Sequence, residues 1–128
     1  MSKLDKKSVI GISALLVHAA KIDENYSDHE KELVKEFIKS YLKEENDGEI
    51  LKKAEEIEKN SNQLLNYTNI IKQNSLEIKR DIIEHLWKVL ISDNTVDQYE
   101  SNLMRRICGL IYFSDKECAE IKLKLQNS

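Results

Sequence analysis

The chain contains no proline and only three glycines, Gly11, Gly48 and Gly109, in 128 residues. Those two residue types supply the fixed and the positive φ angles from which tight β-turns are built. A sandwich or barrel needs such a turn roughly every 8–12 residues, so an all-β fold is excluded. Helices need neither residue in their interiors, and charged residues at 34%, with Lys, Glu, Leu and Ile prominent, make a helix-forming mixture. With 41% apolar residues the chain is too hydrophobic for disorder. Its length suits one domain over residues 1–128, large enough to bury a core without disulfides or a structural metal.

The formal charge of −3 disfavours nucleic acid as a partner, because binding to phosphates rests on a positive field. Lys79-Arg80 and Arg105-Arg106 are isolated basic doublets. Cys108 and Cys118 show no CxxC spacing and no histidine at zinc spacing, so they read as two buried thiols of a reducing compartment. Residues 1–20 carry lysines followed by an apolar stretch, in the manner of a secretory leader. Asp5 in the basic segment, Gly11 and Ser13 in the apolar one and His18 near the only suitable cut argue against a leader. The run from Ser8 to Ala20 is too short to span a bilayer, and no basic amphipathic helix would bind lipid directly. A cytoplasmic location is expected.

Hydrophobic periodicity predicts six or seven helices. The first, from about Leu4 to Ile22, is apolar around so much of its girth that it is expected at the centre of its bundle. Ser27 and Glu30 form a capping box that opens a second helix with pairs Leu33/Val34, Phe37/Ile38 and Tyr41/Leu42. A polar turn at 44–48, with Gly48 in the left-handed position, precedes a third helix on Ile50, Leu51, Ala54 and Ile57. A short helix from about Leu64 to Ile71 and a strong one from Leu76 to Ser92 follow. Asp97 and Glu100 cap the next, and Ser114 with Glu117 cap the last, whose Cys118, Ile121 and Leu125 face inward. Trp87 reads as core, His29 as solvated, and His18 and His85 as partly buried structural residues.

Shifted by 70 residues, the chain superposes on itself without a gap at its two clearest junctions. Asp23 through Glu30 falls on Asp93 through Glu100, Leu16-Val17 on Leu86-Trp87, and Leu33, Val34 and Phe37 on Leu103, Met104 and Ile107. The order repeats twice: apolar helix, acidic breaker, cap residue, Glu at the third helical position, apolar helix. The expected architecture is an all-α compact bundle of six or seven helices with two pseudo-repeated helical hairpins.

The junctions Ala20-Lys21-Ile22-Asp23…Glu30 and Leu90-Ile91-Ser92-Asp93…Glu100 resemble those of the tellurite-resistance TerB and TerB-like family. The resemblance covers roughly residues 8–125 and departs from the family where Glu24 and Asn94 replace the usual glycine. It implies a small all-helical cytoplasmic module of stress responses, often near membrane partners, with divalent-metal binding through acidic residues and no enzymatic activity.

Each acidic residue has two readings. Asp23 and Asp93 either make Asx-turns that reverse the chain or ligate a metal. Glu30 and Glu100 either close capping boxes or add a second carboxylate to each Asp. Asp97 is an expected N-cap and makes the second junction the more acidic, hence the preferred metal candidate. Oxygen donors suit Ca²⁺ or Mg²⁺, bound weakly, because the loop lacks the glycine and glutamate of an EF-hand. The candidate metal ligands are therefore Asp23, Glu30, Asp93, Asp97 and Glu100, with a protein partner expected. The competing reading is a purely structural protein–protein interaction module without metal. An enzyme is not expected: there is no GxSxG, P-loop, GxGxxG or HExxH, and no catalytic residue or organic cofactor is assigned.

Overall fold

The computed structural model describes residues 4–21, 26–43, 46–60, 65–91 and 98–127. These contain seven helices: α1 (Lys6–Ala20), α2 (Asp28–Tyr41), α3 (Asp47–Asn60), α4 (Leu65–Lys72), α5 (Leu76–Ile91), α6 (Gln98–Leu110) and α7 (Asp115–Gln126), with no strand among the described residues. The all-α expectation holds.

α1 is the hub of the bundle. Val9, Ile12, Leu15, Leu16 and Val17 are fully buried on different sides of one helix, and α2, α3, α4 and α5 all pack on it. A helix buried nearly all round has no solvated face on which to place charge, which is why the run from Ser8 to Ala20 is without Lys, Arg, Asp or Glu. Gly11 permits the close approach of α4: a Cβ there would lie 2.5 Å from Ile70 Cδ1. Val34, Phe37 and Ile38 of α2, Ile50 and Ala54 of α3, and Ile82, Ile83 and Leu86 of α5 complete one continuous core.

The two halves suggested by the 70-residue shift pack differently. α1 lies directly on α2, whereas α6, through Met104 and Ile107, rests on α4 and α7 rather than along α5. α5 instead carries α7, with Trp87 Nε1 donating to the Cys118 carbonyl at 3.1 Å.

Helix ends account for most departures from the sequence reading. α1 starts two residues later than expected because Asp5 caps it, its Oδ1 accepting from the Ser8 N–H at 2.8 Å. The capping box of α2 forms in both directions, as expected. Gly48 is a correction. No described glycine has a positive φ, and Gly48 lies inside the first turn of α3, where Asn46 Oδ1 accepts from its N–H and from that of Glu49. At α7 Ser114 accepts from the Glu117 N–H, but the Glu117 carboxylate turns away to Arg80 on α5 at 3.1 Å, so charge pairing between helices replaces the second half of the box.

The left-handed residue falls at Tyr112, with φ 58°. The Phe113 N–H returns to the Cys108 carbonyl at 2.8 Å and the Tyr112 N–H to that of Gly109 at 3.4 Å, the two bonds of a Schellman ending. Phe113 and Cys108, both buried, occupy the two positions at which that motif is apolar. A Cβ at this φ costs on the order of 1–2 kcal/mol, partly offset by Lys72, whose Nζ lies 4.9 Å from the exposed Tyr112 ring.

Two stability outcomes follow from the hub and this helix ending. Leu16→Ala, at a fully buried hub position, should cost about 2–5 kcal/mol in urea unfolding. Tyr112→Gly should raise stability by about 0.5–1 kcal/mol, the relieved strain exceeding an exposed cation–π contact of about 0.5 kcal/mol; thermal melts check it.

Candidate functional site

The first helix junction is organised by residues that flank the expected acidic loop. His18 comes from α1 and Lys21 from its C-cap, while Tyr26 and the N-cap Ser27 lead into α2, which supplies Glu30. The third contributor is α3, which packs on both and presents Glu55 and Glu58 one turn apart. Glu58 is the pivot. Its Oε1 accepts from Lys21 Nζ at 2.9 Å and its Oε2 lies 3.3 Å from His18 Nδ1. The Tyr26 hydroxyl donates to Glu55 Oε2 at 2.7 Å. Lys21 and Lys31 stand over the Tyr26 ring, with Nζ 5.7 and 5.2 Å from its centroid.

Glu30 is 5% exposed. Its Oε1 accepts from the Ser27 N–H at 2.9 Å and from Ser27 Oγ at 3.2 Å, so the capping role is met. Half-burial, the hydrogen bond to Glu55 and the negative charges of Glu55, Glu30 and Glu58 push the Tyr26 phenol well above its ordinary value. Of these, Glu55 touches the hydroxyl directly, whereas the Glu30 and Glu58 carboxylates are engaged elsewhere and act on it only through their charge.

At the second junction Glu100 is the third residue of α6 and is 4% exposed, as buried as Glu30 at the matching position. Asp23, Asp93 and Asp97 lie outside the described residues. Among the described residues no three His, Cys, Asp or Glu gather as a set that could hold a metal ion. Glu55, Glu58 and Tyr26 were missed in the sequence because no motif joins them. The available signal was the i,i+3 spacing of the two glutamates on the helix after the junction, which fixes a shared face but not its neighbour.

Two further polar groups lie in the core seams. Between α2 and α5 the Tyr41 hydroxyl donates to Asp81 Oδ2 at 2.6 Å, and His85 Nδ1 lies 2.9 Å from the Asp81 carbonyl. Burial and the Asp81 carboxylate raise the Tyr41 phenol above its ordinary value. The His85 ring stands edge-on to Phe37 with centroids 5.2 Å apart, so His85 is a partly buried structural residue, as is His18, while His29 is exposed. Between α6 and α7 the thiols Cys108 and Cys118 are free and buried. The hydrogen bond between them pushes the Cys108 thiol up, with burial adding to the rise, and holds the Cys118 thiol down against the opposing effect of its own burial.

Among the described residues no helix is long and apolar enough to cross a membrane. Compared with known proteins, residues 10–123 match the family model described as tellurite resistance protein TerB. No curated protein and no solved structure matches the chain.

The two tyrosines make a pH signature. A phenol whose folded pKa exceeds its unfolded value of about 10 contributes stability below that pH and loses it as pH rises further. Stability should therefore fall above about pH 10, and Tyr26→Phe and Tyr41→Phe should each flatten the fall. Tyrosinate absorbance during alkaline titration should show both phenols ionising only with unfolding.

Proposed function

The chain belongs to the TerB family, and on that footing we propose that it is a non-enzymatic, cytoplasmic, stress-associated module of the tellurite-resistance type. Its acidic helix junctions bind a divalent cation weakly and couple it to a protein partner, which can itself be membrane-associated. The observation that carries this reading is that Glu30 and Glu100, at matching positions of the two junctions, are both nearly fully buried carboxylates, with Glu55 and Glu58 of α3 packed across the first. Such a concentration of negative charge disfavours itself unless protons, ammonium groups or a cation offset it. Lys21 offsets Glu58.

The donors are carboxylate oxygens, which suit Ca²⁺ or Mg²⁺ and not zinc. The described carboxylates do not form a ligand set by themselves. The proposed sites therefore take Asp23 with Glu30 at the first junction, and Asp93 and Asp97 with Glu100 at the second. A bound cation would supply neutralisation of these carboxylates, and with it a change in the surface that a partner meets.

A second reading is favoured by one specific observation, the reciprocal capping box of Ser27 and Glu30. On it the acidic residues only terminate and start helices, and the module binds its partner without metal.

Calorimetric titration with Ca²⁺ and with Mg²⁺ separates the two. On the cation reading, millimolar metal gives heat, chelator lowers the melting temperature, and Asp23→Ala with Asp93→Ala removes both effects while helicity persists. On the structural reading wild type gives no heat and chelator changes nothing. Ser27→Ala should cost about 1 kcal/mol under either reading, with or without metal, and so calibrates the contribution of capping alone.

A further inference from the structure

At the other end of α1, away from the acidic junction, α1, α3 and α4 enclose a groove of about 530 Å³. Its walls are apolar: Ile10 from α1, Ile57 from α3 and Ile70 from α4 run along it. Ile57 is 42% exposed and, with Ile10 and Ile70 beside it, gives the groove a contiguous apolar wall open to solvent. Gly11 sets the shape of the groove, since the missing Cβ lets the end of Ile70 fold over α1.

Charge gives this groove a direction. Lys6, Lys7 and Lys53 line it and no acidic residue does. Neither Lys7 nor Lys53 is held in a salt bridge among the described residues. Lys6 and Lys7 also occupy the first turn of α1, which contains no acidic residue. That turn is the positive end of the helix dipole, where carboxylates stabilise and ammonium groups do not. Asp5 already serves that helix end with its carboxylate, so an anion in the groove would be drawn by Lys7 and Lys53, which line it from α1 and α3. Tyr67, which also lines the groove, has a buried hydroxyl with no hydrogen-bond partner.

We propose that this groove binds a single-chain anionic amphiphile, a fatty carboxylate, with its head group between Lys7 and Lys53 and its chain along Ile10, Ile57 and Ile70. The volume is that of a small-ligand site, and the lining is what such sites use: continuous apolar wall with a few polar groups at one place. A peptide helix would need a longer groove and anchors spaced at successive turns. The occupant is therefore a ligand of one acyl chain. This inference does not rest on the cation reading, because the groove is lined by none of the residues proposed to hold the cation.

Dodecanoate below its micelle concentration is the probe, followed by amide chemical shifts and calorimetry on the whole chain. The expected result is saturable one-to-one binding, with shifts confined to the first half of α1, the second half of α3 and α4. Lys7→Gln with Lys53→Gln should weaken dodecanoate at least tenfold, and dodecanol should bind wild type at least tenfold more weakly than dodecanoate. Ile57→Glu, at an exposed position where folding is not at stake, should abolish binding. Absence of saturable binding, shifts elsewhere, or equal affinity of the lysine variant would overturn the proposal. So would a wild-type dimer that Ile57→Glu dissociates, since the groove would then belong to a second copy of the chain.

Discussion

Everything in this bundle depends on the burial of α1. A helix that is apolar around most of its circumference cannot lie at a surface, so four other helices must cover it. Each covering helix then needs only one apolar stripe, and each carries its charges on the outer face. The arrangement also explains where polar chemistry can occur. With no polar side available along α1, charged groups collect at its two ends, Glu58 with Lys21 at one and the Asp5 cap with Lys6 and Lys7 at the other.

The acidic end shows how electrostatics and capping share the same atoms. Glu30 is almost fully buried because it serves the backbone of its own helix. Glu58 tolerates partial burial because Lys21 and His18 meet its two oxygens. Glu55 leans on a phenol instead, which keeps that phenol protonated. The described carboxylates of this junction thus find their partners within the chain, and the cation reading stands against that background.

Helix number, order and the burial of α1 were legible in the sequence because periodicity of apolar residues survives without knowledge of neighbours. Caps were legible where they are local, as at Ser27 and Ser114. They failed where a choice existed between nearby residues: Asn46, and not Gly48, organises the start of α3, because an Asx side chain can accept from both N–H groups that the turn exposes. The left-handed ending of α6 was missed for the opposite reason, since Tyr112 is a residue type that avoids that region and is held there by the Phe113–Cys108 hydrogen bond. Of the candidate site, Glu30 and Glu100 could be read from spacing, whereas Glu55, Glu58 and Tyr26 meet only when α3 packs across the α1–α2 junction.

By itself, then, the sequence determined the fold class. A proline-free, glycine-poor chain with apolar residues at helical spacing has no other way to bury them. It also determined which helix would lie at the centre, since only one lacks a polar side. Tertiary structure decided what stands at each end of that helix. Whether a carboxylate meets an ammonium, a phenol or another carboxylate depends on which helices cross there, and crossing is set by the fit of side chains such as Ile70 over Gly11 rather than by any local pattern.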